Sequence, residues 1–286
     1  MPTYKILFVG LGKMGFHMAG YLSKNKNINL SIFNRTNKKE KIWKKEFSAE
    51  IFNFNSQKKF DFVITCLKDD KAINEFFEKF IKSKSYNKNT IVIDHSTISL
   101  DQINKLNKKF RNKLKFLDAP ISGGEEGAKK ATLTVMVGGN KKIFEKSKNI
   151  ISFYSKNITY IGKSGKGQLA KFTNQILICG ILYSISEAYL FSKNNKIDQN
   201  KIYSALKNGA AGSWQFQNRY PTIIKNKFNF GFSTELMVKD LNYVLKQAKL
   251  NNLNLMLTKK VLSKYIKLQK TKYKNQDTSS LIKTFR

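Results

Sequence analysis

The feature that most constrains this chain is a glycine motif placed between a largely apolar run and a helical repeat. Residues 5–9 form the run, and the motif follows at once as Gly10-Leu11-Gly12-Lys13-Met14-Gly15. In such a motif the first glycine permits a tight turn, the second lets the backbone approach a pyrophosphate, and the third lets helix and strand pack closely. The motif therefore predicts a strand–turn–helix unit that binds a dinucleotide.

Strands and helices alternate through the N-terminal half of the chain. Apolar runs that predict further strands lie at residues 30–33, 60–67, 90–94, 116–117, 133–137 and 158–161. Ile73, Phe76, Phe77 and Phe80 form one face of an intervening helix, and Ser99 with Gln102 predicts a capping box before another. This alternation indicates an α/β fold with a doubly wound, Rossmann-type parallel sheet that can turn antiparallel at its far edge.

The pattern of the second half of the chain predicts helices throughout. A single long helical pattern runs from Gly167 to about Ser192 without an internal proline. Shorter helical patterns follow at residues 202–206, 220–224, 236–250 and 253–268. We therefore predict a nucleotide-binding domain over residues 1–164 and an all-α substrate and dimerisation domain over residues 165–286, joined through the long helix.

The charge of the chain first suggests a polyanionic partner. Lys and Arg number 53 against 19 Asp and Glu, a formal net charge of +34. Only four of these basic residues are arginine, whereas proteins that read nucleic acid favour arginine for its bidentate fork. Lysine is spread along the whole chain beside Asn, Ile and Phe, which favours a coding bias toward A/T-rich codons over a specific nucleic-acid surface.

Several other classes of protein are disfavoured by simple sequence features. Cys66 and Cys179 lie in apolar surroundings, so we expect buried free thiols. His17 and His95 are far apart and no group has metal-ligand spacing, so we predict no metal. No run of about 18 apolar residues suggests a membrane span. Because the chain passes from Met1 and Pro2 straight into a strand, we expect no secretory signal and a cytoplasmic protein.

The residues after the second predicted strand bear on cofactor choice. An NAD-selective site usually places Asp or Glu there, to bind the ribose 2′-hydroxyl. This chain instead has Asn34, Arg35 and Thr36, of which the arginine can pair with a 2′-phosphate and the others can donate hydrogen bonds. We therefore predict that NADP(H) is favoured, with NAD(H) possible.

Four sequence blocks, in order along nearly the whole chain, resemble the β-hydroxyacid dehydrogenase family. They are Gly10–Gly15, Asp118–Gly124 continuing to Gly139, Gly162–Asn174 with Lys171, and Lys239-Asp240-Leu241. That family includes 3-hydroxyisobutyrate dehydrogenase, tartronate semialdehyde reductase and glyoxylate/succinic semialdehyde reductase. The resemblance implies hydride transfer between a nicotinamide cofactor and a small carboxylate-bearing hydroxyacid or aldehyde, by a homodimer or homotetramer.

The resemblance also implies the roles of individual residues. Lys171 would be the catalytic acid/base, for which its pKa would have to be lowered by burial or by neighbouring charge, and Asn174 would be its partner on the same helical face. Ser122, Gly123 and Gly124 would bind the substrate carboxylate. Family contacts to the nicotinamide side fall on Leu67, Ser96, Thr97 and Lys239; Lys239 would also reach the substrate, and Asp240 would orient its helix or that lysine.

The chain departs from the family pattern at a few positions. Ala131 stands where Gly is common, Lys68 where Pro is common, and Gln175 where a second Asn is common. The last departure leaves the substrate open. A 6-phosphogluconate dehydrogenase is disfavoured because no histidine follows Lys171 in this block, and imine reductases are disfavoured because they usually lack the lysine.

Three hypotheses for the function therefore stay open. The first is an NADP-linked, 3-hydroxyisobutyrate dehydrogenase-like enzyme or a glyoxylate/succinic semialdehyde reductase. The second is a serine-type hydroxyacid dehydrogenase, which would use the same machinery. The third is a non-catalytic basic protein on the same fold that binds nucleic acid, which the charge motivates and the retention of Lys171 disfavours.

Overall fold

The computed structural model describes residues 3–285. Met1 and Pro2, on which the expectation of no secretory signal rests, lie outside the described residues. The chain divides into two compact units, unit 1 ending at Lys171 and unit 2 beginning at Phe172. The division falls inside one long helix, and the domain boundary at residue 164 stays a prediction.

Unit 1 is built on a nine-stranded sheet flanked by helices. Its strands are β1 (Tyr4–Val9), β2 (Ile28–Phe33), β3 (Glu50–Ile51), β4 (Phe62–Thr65), β5 (Ile91–Asp94), β6 (Lys115–Asp118), β7 (Ile121–Ser122), β8 (Leu133–Gly139) and β9 (Ser155–Gly162). Its helices are α1 (Lys13–Ser23), α2 (Asn37–Trp43), α3 (Asp70–Ser83), α4 (Leu100–Phe110), α5 (Gly124–Lys129) and α6 (Lys141–Ser152).

The strand order identifies the topology. The strands lie in the order β3-β2-β1-β4-β5-β6-β8-β7, with β9 paired to β8. All pairs from β3 to β6 are parallel, whereas β8 runs antiparallel to both β6 and β7. The predicted Rossmann-type sheet is thus confirmed, including its antiparallel far edge.

Both faces of the sheet are buried at its centre, as doubly wound strands require. Ile6 and Phe8 of β1 enter one core cluster with Met18 of α1. Leu7 and Val9 of the same strand enter the other cluster, which includes the predicted face of α3. Side chains alternate along a strand, so one six-residue strand supplies both layers.

Unit 2 is helical, as predicted. The long helix α7 (Lys166–Asn194) leads into it and carries no internal proline. Its other elements are α8 (Gln199–Leu206), α9 (Trp214–Ile224), α10 (Thr234–Leu250), α11 (Met256–Gln269) and a 3₁₀ helix (Thr278–Thr284). Between residues 172 and 285 the one strand-like pairing is the bridge between Ser233 and Asp277.

One local prediction needs correction. Ser99 does cap α4, because its Oγ accepts from the Gln102 N–H at 3.1 Å, but the box does not close. The Gln102 side chain donates to Asn74, and the Ser99 N–H donates to Asp70. Helix α7 is the one helix within residues 3–285 that is long and apolar enough to span a bilayer. Core helices of soluble proteins meet the same criteria.

Candidate active site

The glycine loop between β1 and α1 shows why each glycine is needed. Gly10 has φ +101°, and a Cβ there would collide with the carbonyl oxygen of Cys66. A Cβ at Gly15 would collide with the carbonyl of Gly10. At Gly12, by contrast, φ is −77° and nothing described lies within 4 Å of an added Cβ. The fold does not require glycine at position 12, which is the position where the motif brings backbone closest to a pyrophosphate.

The start of α1 suits an anion. Gly12 caps the helix without a side-chain hydrogen bond, and the first turn, which begins at Lys13, holds no acidic residue. The amide groups of that turn carry the positive end of the helix dipole. An open cap, a tight glycine turn and a missing Cβ together fit the pyrophosphate of a dinucleotide.

The side chain of Asn34 braces the glycine loop. Its Oδ1 accepts from the Leu11 N–H at 3.0 Å, and its Nδ2 donates to the Thr36 carbonyl at 3.1 Å. The backbone N–H of Asn34 donates to the buried Glu40 carboxylate at 2.7 Å. Asn34 thus links the ends of β1 and β2, a role that the sequence did not predict.

The other two residues after β2 lie at the surface. Arg35 is exposed, with 82% of its side-chain area open to solvent, and forms an ion pair with Glu75 at 3.4 Å. Thr36 is exposed at the start of α2 and makes no side-chain cap. Arg35 can therefore turn toward a phosphate without any loss of buried structure.

The loops after β4 and β5 are joined by Ser96. Its Oγ accepts from the Leu67 N–H at 2.8 Å, and its own N–H donates to Asp94 at 3.0 Å. Ser96 is only 2% exposed, whereas Leu67 and Thr97 are half-buried. Leu67 also borders the glycine loop, since an added Cβ at Gly10 would meet its Cδ2. The sheet therefore brings Gly10, Leu67 and Ser96 together at one edge.

The first turn of α7 is anchored to unit 1 by two buried side chains. The Asp118 carboxylate accepts from the N–H groups of Gly165 at 2.7 Å and Gln168 at 3.1 Å. The Gln168 side chain donates to the Ser96 carbonyl at 2.8 Å and accepts from the Ile98 N–H at 3.2 Å. Lys171 follows one turn later and is only 7% exposed. The helix that carries this lysine is thus fixed to the loop after β5.

The predicted carboxylate loop is the start of a short helix. Ser122 ends β7, Gly123 precedes α5, and Gly124 is its first residue. Both glycines have positive φ, 124° and 63°, which disfavours other residues here. A Cβ added at Gly124 would meet nothing described within 4 Å, so open space faces this backbone.

Three buried ionisable side chains, Asp94, His95 and Asp118, lie at the carboxyl ends of β5 and β6 or directly after them. Burial raises the pKa of Asp94 and of Asp118 to about 6. Burial lowers the pKa of His95 to about 4, and its ring nitrogens contact the Ala119 carbonyl at 2.6 Å and the Tyr154 hydroxyl at 2.8 Å. The neutral ring of His95 is therefore part of the core packing.

Cys66 and Cys179 are both free thiols, and burial raises the pKa of each to about 12. Among residues 3–285, no three His, Cys, Asp or Glu side chains lie close enough to hold a metal ion.

Unit 2 brings its predicted site residues into one cluster held by hydrogen bonds and an ion pair. Asn174 Nδ2 donates to Gln175 Oε1 at 2.9 Å, and Gln175 Nε2 donates to Asp240 Oδ2 at 2.7 Å. The other Asp240 oxygen lies 3.0 Å from the Lys239 ammonium. The Lys239 ammonium also lies 5.3 Å from the centre of the Tyr243 ring. Asp240 thus contacts Lys239, which, with its own helix, is one of the two groups that it was predicted to orient.

Sequence reasoning gave no role to Asp118 and Gln168 and noted Gln175 only as a departure. Gln168 and Gln175 are polar residues in an apolar helix, and that pattern is the one signal that could have pointed to buried partners. The partners themselves lie about 50 to 70 residues away in the chain and cannot be read from spacing.

Comparison with known proteins identifies the family of the chain. Residues 5–162 match a family model described as the NAD binding domain of 6-phosphogluconate dehydrogenase. Residues 165–285 match one described as NAD-binding of NADP-dependent 3-hydroxyisobutyrate dehydrogenase.

Individual relatives match this chain over most of its length and of their own. An uncharacterised oxidoreductase of Shewanella frigidimarina is 35% identical, with 97% of each chain covered. The mitochondrial 3-hydroxyisobutyrate dehydrogenase of Drosophila melanogaster is 32% identical, covering 86% of this chain and 78% of the relative. The solved structure of Mycobacterium tuberculosis 3-hydroxyisobutyrate dehydrogenase with L-serine has TM-score 0.88 at 24% identity, with 99% of both chains covered. The chain is a member of the β-hydroxyacid dehydrogenase family, an NAD(P)-dependent oxidoreductase that acts on CH–OH groups.

Proposed function

We propose that this enzyme interconverts a small carboxylate-bearing β-hydroxyacid and its semialdehyde, favours NADP(H), and uses Lys171 as its acid/base. The observation that carries the proposal is the burial of Lys171 on a fixed part of α7. Gln168 lies one helical turn before it, and the Gln168 side chain bonds to the loop after β5. A buried amine on a fixed helix loses little freedom when it takes part in proton transfer.

The residues that would hold the cofactor form three groups. The backbone from Gly10 to Gly15 would bind the pyrophosphate at the start of α1. Asn34, Arg35 and Thr36 would surround the 2′-phosphate, and Leu67, Ser96, Thr97 and Lys239 would border the nicotinamide. The description of the matching family model as NADP-dependent supports this preference, and NAD(H) is the alternative.

The nicotinamide, when bound, accepts the hydride in the oxidative direction or supplies it in the reductive one. Lys171 would take the proton from the substrate hydroxyl during oxidation and return it to the developing alkoxide during reduction. Asn174 would hydrogen-bond the same oxygen. Ser122, Gly123 and Gly124 would bind the carboxylate through backbone N–H groups and a hydroxyl, and Lys239 would add a positive charge.

A substrate panel tests this proposal. It contains 3-hydroxyisobutyrate, L-serine, glyoxylate, succinic semialdehyde, tartronate semialdehyde and methylmalonate semialdehyde, each with both cofactors, followed by the absorbance of the reduced nicotinamide. We expect turnover of at least one β-hydroxyacid or semialdehyde, with a lower KM for NADP(H) than for NAD(H). Glyoxylate or succinic semialdehyde as the best substrate would identify the reductase alternative, and serine the serine-type alternative. No turnover together with salt-resistant DNA binding would favour the non-catalytic one.

Self-association is a further part of the proposal. Unit 2 exposes large apolar side chains, a common property of surfaces that bind another copy. They include Leu177, Phe191, Leu250, Leu253, Met256 and Leu257. We expect a homodimer or homotetramer, which light scattering after gel filtration would measure. A cytoplasmic location also stays a prediction.

A further inference from the structure

The site cluster of unit 2 contains one residue that no sequence argument assigned a role. Gln175 is 1% exposed and lies between Asn174 and Asp240, which is itself 1% exposed. Its two amide atoms make one hydrogen bond in each direction, at 2.9 Å and 2.7 Å. The result is a continuous polar chain from the Asn174 amide to the Lys239 ammonium, which we call the Gln175 relay: Asn174, Gln175, Asp240 and Lys239.

The relay has a fixed direction. A carboxylate beside the Lys239 ammonium only accepts hydrogen bonds, so the Gln175 group that faces Asp240 is its NH₂. The Gln175 oxygen therefore points the other way, toward Asn174, and Asn174 has to present its NH₂ to that oxygen. Asp240 thereby sets the orientation of two amides, one of which belongs to a predicted catalytic residue.

The length of the glutamine side chain makes the relay possible. Residues one apart on a helix point in different directions, so a side chain that contacts its neighbour's end must reach around the helix. Gln175 does so while it also contacts Asp240 on α10. Asparagine is one methylene shorter and cannot keep both contacts at hydrogen-bond distance.

We propose that Gln175 is a positioning residue, which fixes the Asn174 amide and, through Asp240, the Lys239 ammonium for the substrate. The inference rests on the proposed function, in which those two groups contact the substrate. Gln175 acts through these neighbours. The residue at position 175 therefore tunes how the enzyme binds its substrate.

The test compares Gln175→Asn and Gln175→Met with the matched control Gln247→Asn. Gln247 lies on α10, is half-buried, and its side chain bonds only weakly to Asn251, at 3.5 Å. Gln175→Met keeps the side-chain length and adds no buried polar group, so it remains informative if Gln175→Asn folds poorly. The substrate is the best one from the panel, measured with the wild-type enzyme in parallel.

We expect both Gln175 variants to raise KM for the substrate and to lower kcat/KM by about tenfold or more, as the loss of a hydrogen bond to a charged group predicts. Gln247→Asn should match the wild type. Partial unfolding lowers the apparent kcat and leaves KM unchanged, so an unchanged KM in both variants would overturn the inference. Absence of turnover by the wild-type enzyme would overturn the proposed function and this inference with it.

Discussion

Two buried aspartates, one in each unit, hold functional residues by different means. Asp118 in unit 1 accepts from the backbone N–H groups of Gly165 and Gln168. Asp240 in unit 2 instead contacts the side chains of Gln175 and Lys239. Backbone partners exist whatever the residue type, whereas side-chain partners change with every substitution. The contacts of Asp118 to Gly165 and Gln168 therefore do not depend on which side chains those partners carry, whereas the contacts of Asp240 do.

The glycine loop extends this comparison, because two of its positions, Gly10 and Gly15, have no room for any side chain. Gly10→Ala would place a Cβ against the Cys66 carbonyl at a positive φ, so we expect a loss of about 3 kcal/mol or more in the free energy of unfolding. Gly12→Ala meets nothing described and keeps an ordinary φ, so its stability should stay at or slightly above that of the wild type.

Cofactor binding should separate the same two variants in another way. Gly12→Ala would fill the space next to the pyrophosphate, and we expect its Kd for NADPH to rise about tenfold to a hundredfold. Urea unfolding and fluorescence titration measure the two effects. If Gly12→Ala bound NADPH as the wild type does, the loop would not be the pyrophosphate site.

The same contrast explains what the sequence could predict. The sequence predicted strands such as β1 and β5, the glycine loop and the fold class, because each of them follows from a local pattern. The two-residue strand β3 was missed because Glu50–Ile51 pairs only with β2 and has no pattern of its own. The hydrogen bond between Asn34 and Leu11 and the one between Gln175 and Asp240 were not predicted. These are long-range contacts, which depend on the completed fold.

The buried carboxylates of unit 1 predict a dependence of stability on pH. Burial raises the pKa of Asp94 from 3.8 to about 6, and the nearby charge of Asp118 adds to the effect. The folded chain therefore holds this proton more tightly than the unfolded chain. The contribution of Asp94 to the free energy of unfolding should fall by about 3 kcal/mol as the pH rises from 3.8 to about 6, with no further change above that range.

The control for this prediction is Asp94→Asn, which cannot titrate. Urea unfolding of both proteins at several pH values between 3.8 and about 6 gives the comparison. The free energy of unfolding of the wild type minus that of Asp94→Asn should decrease as the pH rises through this range. Parallel pH profiles for the two proteins would show that Asp94 does not contribute.

Substitution of Arg35 should have the smallest effect, and it should change only the selectivity between NADPH and NADH. Because its side chain is 82% exposed, Arg35→Ala should leave the free energy of unfolding unchanged within about 0.5 kcal/mol. Loss of a charged partner should raise KM for NADPH about tenfold and leave KM for NADH unchanged. Arg111→Ala, at another exposed arginine of unit 1, is the matched control. A preference of the wild-type enzyme for NADH would contradict the assignment.

The central claim is that Lys171 transfers the proton, and single-turnover kinetics test it most directly. The reaction of enzyme-bound NADPH with the best aldehyde of the panel is followed by nicotinamide fluorescence for the wild type, Lys171→Ala and the control Lys166→Ala, whose lysine is exposed at the start of the same helix. We predict that Lys171→Ala slows this step by about 10²- to 10⁴-fold while its Kd for NADPH is retained and Lys166→Ala reacts normally. A rate for Lys171→Ala close to that of the wild type would contradict the account.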